Sequence, residues 1–163
     1  MFQIFKELFS GSDNDVSSQQ ESWNQRDHIR DAVASLLIEV AKADYDDDPK
    51  EREKIRELLM EFFGMAETDV TQLVERAQVS VDEAIALHPF TQTLRTELTP
   101  EERGLVIEMM WAVAYADGVK DANEEYLIRK VADLAHVPHA RFIQARQRVE
   151  KHFANQTDAS LNE

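Results

Sequence analysis

One pattern constrains this chain more than any other: a run of apolar and acidic positions that returns in phase 73 residues later. Ile29, Val33, Leu36, Leu37 and Val40 follow the i, i+4, i+7, i+8, i+11 spacing of one helix face. A shift of 73 places Val33 on Val106, Leu36 on Met109, Leu37 on Met110 and Val40 on Val113. The register holds through the following turn, where Asp44 meets Asp117, Glu51 meets Glu124 and Ile55 meets Ile128. Two copies of one helix–turn–helix unit, each followed by a third helix, is the economical reading.

The remaining helix signals agree with that frame. A second helix starts at Pro49, carries Ile55, Leu58, Leu59 and Phe62, and stops at Gly64. The stretch ETDVTQLVERAQ predicts a third, with Val70, Leu73 and Val74 inward. Ser80 and Glu83 have capping-box spacing and predict the start of a fourth, which Pro89 either kinks or ends by opening a new helix. Thr99-Pro100-Glu101-Glu102 reads as N-cap, N1 proline and N3 acid, so a fifth helix runs from there to about Ala116. The sixth begins after Asp121 and ends near His136, and the seventh follows Pro138. No segment alternates as a strand does. The expected fold is all-α: about seven helices in two pseudo-symmetric halves, about 25–79 and 98–153, within a single domain spanning 23–153.

The flanks read differently. Phe2, Ile4, Phe5, Leu8 and Phe9 are helically spaced, so residues 2–9 form either a short amphipathic turn packed on the body, a frayed arm, or a lipid-surface contact. Residues 10–22 are a polar linker, and 154–163 read as a disordered tail. Lys6 and Glu7 interrupt what would be the apolar core of a secretory signal, which points to a cytoplasmic address. No uncharged apolar run approaches the ~18 residues a transmembrane helix needs.

Charge and cysteine content exclude several functions. The net charge is −14, from 32 acidic and 18 basic residues, and such a chain repels phosphate backbones; nucleic acid is not an expected partner. The absence of Cys removes disulfides, thiolate metal sites and cysteine nucleophiles together.

The acidic turns are the candidate site. Asp48 and Glu51, like Asp121 and Glu124, have the spacing of an N-cap and an N3 acid, which suits the free amides and the dipole of a helix start. Asp44 and Asp117 do not fit that account. Each ends a helix, where the dipole disfavours an anion, and each lies four residues after a core valine, so it is expected to point inward. An inward carboxylate needs a partner. Loop amides, a basic side chain, or a divalent cation shared with the acids that follow would each serve. The turns are not EF-hands, because Pro49 and Ile55 stand where the calcium loop needs glycine and glutamate. A bound ion would be hard and oxygen-liking: Ca²⁺, Mg²⁺ or Mn²⁺.

The stretch AYADGVKDANEE, residues 114–125, resembles the Ala-x-Ala-Asp-Gly plus downstream Glu motif of the tellurite-resistance TerB-like domain. The likeness spans roughly residues 25–150 and is closest over 90–146; in the first copy Tyr45 replaces the motif glycine. The resemblance implies a seven-helix fold with two pseudo-symmetric halves and a divalent-cation site at the acidic turns. Carried over by position, that site takes Asp117 and Glu124, with Asp44 and Glu51 in the first copy. It implies links to tellurite and envelope stress, relatives fused to modules such as a J-domain, and no catalytic activity.

Other constellations are weak. His136 and His139 are separated by Pro138, which breaks the helix that would align them, so they read as a helix-end and loop pair. No Glu-x-x-His, glycine-rich phosphate loop or nucleophile motif occurs. Trp111, Met109 and Met110 read as core. From Arg129 to His152 six basic residues face two acids, so Arg141, Arg146 and Arg148 either balance the acidic half internally or form a docking face for a protein partner or an anionic membrane surface. The chain is expected to be a monomer or a weak homo-oligomer.

Overall fold

Capping chemistry sets where the helices begin. Thr99 Oγ1 accepts from the Glu102 amide at 3.2 Å, while the Thr99 amide donates to Glu102 Oε1 at 2.9 Å, a closed capping box. Asp121 Oδ1 accepts from the amides of Asn123 at 2.7 Å and Glu124 at 3.4 Å. In the computed structural model, which describes residues 27–43, 49–84, 86–116 and 121–161, the chain forms seven helices and, among the described residues, no strand. They are α1 (Asp27–Lys42), α2 (Pro49–Phe63), α3 (Glu67–Glu83), α4 (His88–Glu97), α5 (Pro100–Ala114), α6 (Ala122–Leu134) and α7 (His139–Leu161).

The fold is all-α, as the periodicity predicts, with three differences in its boundaries. No helix starts at Ser80, which lies inside α3. The buried face Val70, Leu73, Ala77, Val81 runs straight through it, and packing of that face outweighs local cap spacing. The fourth helix opens at His88 with Pro89 in its first turn, where a proline's missing amide costs nothing; of the two readings of Pro89, the opening of a new helix holds. The last helix extends to Leu161, beyond the domain end at 153 read from the sequence and through the stretch read as a disordered tail. The arm and linker, residues 1–22, lie outside the described residues.

Two helices carry the core. Every residue of α5 from Val106 to Ala114 is buried, and so is every residue of α1 from Ala32 to Ile38. A helix apolar all round must be enclosed by protein, unlike the one-stripe helices around it. Accordingly α1 packs against α2, α3, α4, α5 and α6, and α5 against α1, α2, α6 and α7. The contacts cross between the copies, since α1 meets α6 just as its counterpart α5 meets α2. Neither half therefore closes a core alone. Val33, Leu37, Val40, Val106, Met110 and Val113, matched across the repeat, are all completely buried, as is Trp111.

The repeat loses one residue near the end of its second helix. Gly64 and His136, 72 positions apart, are the two described residues in the left-handed region, at φ 62° and 58°. Each ends its helix with a long backbone bond, Met65 N to Met60 O at 3.2 Å and Val137 N to Ala132 O at 2.8 Å, the Schellman pattern. The buried faces of the third helices follow the same offset, Val70, Leu73 and Ala77 answering to Phe142, Ala145 and Val149. Only one copy has the glycine that this backbone favours. A Cβ at Gly64 meets nothing within 4 Å, so Gly64→Ala carries a purely backbone cost of about 1 kcal/mol. His136→Gly should raise stability by a few tenths to about 1 kcal/mol. Urea unfolding of the two variants should move in opposite directions.

Candidate functional site

At both helix–turn–helix junctions the N3 acid is withdrawn from water. Glu51 on α2 and Glu124 on α6 are each 0 % exposed. Glu102, an N3 acid in an ordinary capping box, keeps some solvent contact. Spacing alone would make all three alike. The difference arises because α2 and α6 are each held against both central helices, so the first turn of each faces the interior. An ionised carboxylate in such a place must have its charge met by hydrogen-bond donors or a cation.

The other acids divide between roles. Asp121 caps α6, accepting from the Asn123 and Glu124 amides through Oδ1. Asp44, Asp48 and Asp117 lie outside the described residues. Among the described residues no three metal-ligating side chains come together.

The three arginines of α7 each have a carboxylate within the chain. Arg141 meets Glu101 at 3.0 Å, and Arg148 meets Glu108 at 3.2 Å. Arg146 is forked between Glu125 at 3.1 Å and Glu150 at 2.8 Å, with its guanidinium 5.5 Å above the Trp111 ring. The Tyr115 hydroxyl donates to the same Glu150 oxygen at 2.6 Å. Burial and that carboxylate push the Tyr115 hydroxyl up to about 12. Arg146 thus ties α7 to α6 across the end of α5. Internal balance, one of the two sequence-level readings of these arginines, accounts for all three contacts. Tyr115 and Glu125 escaped the sequence reading because their partners lie 35 and 21 positions away, whereas Glu150 pairs with Arg146 one helical turn away as well as with Tyr115.

The first copy looks different at the same place. There α1, α2 and α3 border an open groove of ≈ 880 Å³. Ile38, Ala41, Ile55 and Val74 give it an apolar lining, and Glu51 lines it too. No helix among the described residues is long and apolar enough to cross a membrane.

Comparison with known proteins gives one match. The family described as "Tellurite resistance protein TerB" matches residues 30–147, well over half of the chain and all of the duplicated helix pairs but the first three residues of α1. No curated protein and no solved structure matches.

The Glu108–Arg148 pair generates a pH dependence. Glu108 is buried within α5, and burial outweighs Arg148 to push its carboxyl up to about 7 from an ordinary 4.5. The folded chain therefore holds a proton there that the unfolded chain has released, and ionising Glu108 lowers stability as pH rises from about 4.5 through 7. Glu108→Gln keeps the shape and still accepts from Arg148. Its stability should equal that of the wild type near pH 4 and exceed it by on the order of 2–3 kcal/mol at pH 8. Urea midpoints for both proteins across that range measure the divergence; parallel curves would contradict it.

Proposed function

Because the chain belongs to the tellurite-resistance TerB family, we propose that it is a non-enzymatic helical domain that binds a divalent cation at its two acidic junctions and serves in a tellurite or envelope stress response. The observation that carries the reading is the complete burial of Glu51 and Glu124, one at each equivalent position of the repeat. Glu102, which closes a capping box, keeps 7 % exposure, so what sets Glu51 and Glu124 apart is complete withdrawal from water at both equivalent positions. The donor set suits a hard ion: carboxylate oxygens only, with no sulfur in the chain's cysteine inventory.

In each copy the buried glutamate would supply an oxygen from the first turn of the second helix. Asp121 would add its Oδ2, since Oδ1 is held by the α6 amides. Asp44 and Asp48 in the first copy, and Asp117 in the second, would complete the sets. The ion would supply charge to offset the carboxylates and would clamp the end of one helix to the start of the next. Binding energy would then appear as folding energy, because the unfolded chain has no assembled site.

Titration with Ca²⁺, Mg²⁺ or Mn²⁺ should therefore raise the melting temperature, by about 2.7 kcal/mol of stabilisation at a hundredfold excess over Kd. Terbium luminescence sensitised by Trp111, read in a Trp23→Phe background so that no other indole contributes, should report the second site. Glu124→Gln should abolish the terbium signal and Glu51→Gln should leave it intact while halving the stoichiometry. A melting temperature unmoved by millimolar ion would sink the metal reading.

A further inference from the structure

The helices are not all held to the body in the same way. The third helix of the first copy, α3, packs on both α1 and α2, whereas its counterpart α7 packs closely on α5 alone. What joins α7 to α6 is carried by long side chains. Arg146 reaches Glu125 at 3.1 Å, and the Arg129 guanidinium lies 5.2 Å over the Phe142 ring. The apolar side of α7 is Phe142, Ala145 and Val149. It covers Trp111, whose ring lies against Phe142 and Arg146.

This seam also buries polar atoms that nothing meets. Trp111 Nε1 and Glu108 Oε2, three residues apart on α5, are buried and among the described residues have no hydrogen-bond partner. Glu108 Oε1 accepts from Arg148 at 3.2 Å, and Arg148 itself is exposed. Both unmet groups have lost their water without a bond in return, and lifting α7 would give it back. Among the described residues Arg148 is the one charged group acting on Glu108; α1, α2 and α6, which also pack on α5, bring none. The other polar ties of α7, Arg141 to Glu101 and Glu150 to the Tyr115 hydroxyl, are reached by solvent and hold weakly.

We propose that α7 is a pH-operated arm, hinged at the turn 135–138, which lifts from α5 while the other six helices stay folded, with Glu108 as its latch. When Glu108 is neutral the seam closes over an uncharged carboxyl. When it ionises, one charged oxygen keeps Arg148 and the other stays dry, and only the open arm hydrates it. Burial pushes the carboxyl up to about 7 in the closed arm, and opening returns it toward an ordinary 4.5. The closed arm therefore holds the proton more tightly, so release grows as pH rises from about 4.5 to 7 and then levels off. Between pH 4 and pH 8 the opening constant should rise about 200-fold. The device uses neither acidic junction and is independent of any ion.

Hydrogen exchange of the full chain, resolved by residue with ¹⁵N labelling and corrected for intrinsic rates, tests it. At pH 8 the amides of residues 142–149 should open about tenfold or more readily than those of residues 33–38 in α1. Urea below the unfolding transition should speed exchange in α1 more steeply than in α7, because the smaller opening exposes less surface. The 200-fold rise of the α7 opening constant should vanish in Glu108→Gln. Arg148→Gln, a surface change that holds if that variant fails to fold, should enlarge the rise, since Arg148 opposes the effect of burial. Equal protection and equal urea dependence in α7 and α1 would overturn the proposal, because the chain would then open only as a whole. So would an opening constant that does not change with pH, a rise that persists in Glu108→Gln, or a rise in Arg148→Gln no larger than in the wild type.

Discussion

Two helices in this protein are enclosed by other helices over their central turns, and the rest of the molecule is arranged around that fact. Burying one large aliphatic side chain is worth about 1.5–3 kcal/mol, and α1 and α5 each bury such groups around most of their circumference. Neither can be covered by its own repeat. The crossing contacts, α1 on α6 and α5 on α2, make the halves interdependent and fix one core for the whole domain. The outer helices need only one apolar stripe each, which is why their sequences read as amphipathic while that of α5 does not.

The same enclosure gives the junction acids their character. A glutamate three residues into a helix is common and cheap when it closes a capping box, as Glu102 does. Glu51 and Glu124 occupy the same local position, yet the helix that bears each one is pressed against both central helices. Local sequence sets the carboxylate in the first turn; the tertiary arrangement then removes its water. Removing that water turns a helix-start preference into an electrostatic demand, and the demand occurs twice because the unit was duplicated.

Duplication has preserved the demand while letting the surroundings diverge. In the second copy an arginine, a tyrosine and two glutamates form a connected network over Trp111, with the tyrosine proton held firmly by its carboxylate acceptor. In the first copy Ile38 and Val74 stand where Trp111 and Arg146 do, Lys42, Arg52 and Gln78 take the places of Tyr115, Glu125 and Glu150, and a groove is open among the described residues. One corner has become a structural tie between α6 and α7. The other borders an open groove with an apolar lining from Ile38, Ala41, Ile55 and Val74.

The sequence by itself determined the helical class, the duplication, the in-phase core of Val33 through Val113 and most helix starts, because these depend on periodicity and on contacts within four residues. Membership of the TerB family was legible for the same reason, in a short motif and its spacing. The fourth-helix start at Ser80 misled because a packed face can run through a local cap signal without breaking. The shift of the repeat from 73 to 72, the dryness of Glu51 and Glu124, the internal pairing of Arg141, Arg146 and Arg148, and the unequal corners were decided only in three dimensions. Each depends on side chains brought together from distant helices, and their solvent exposure and electrostatics are properties of the assembled surface, to which no local spacing corresponds.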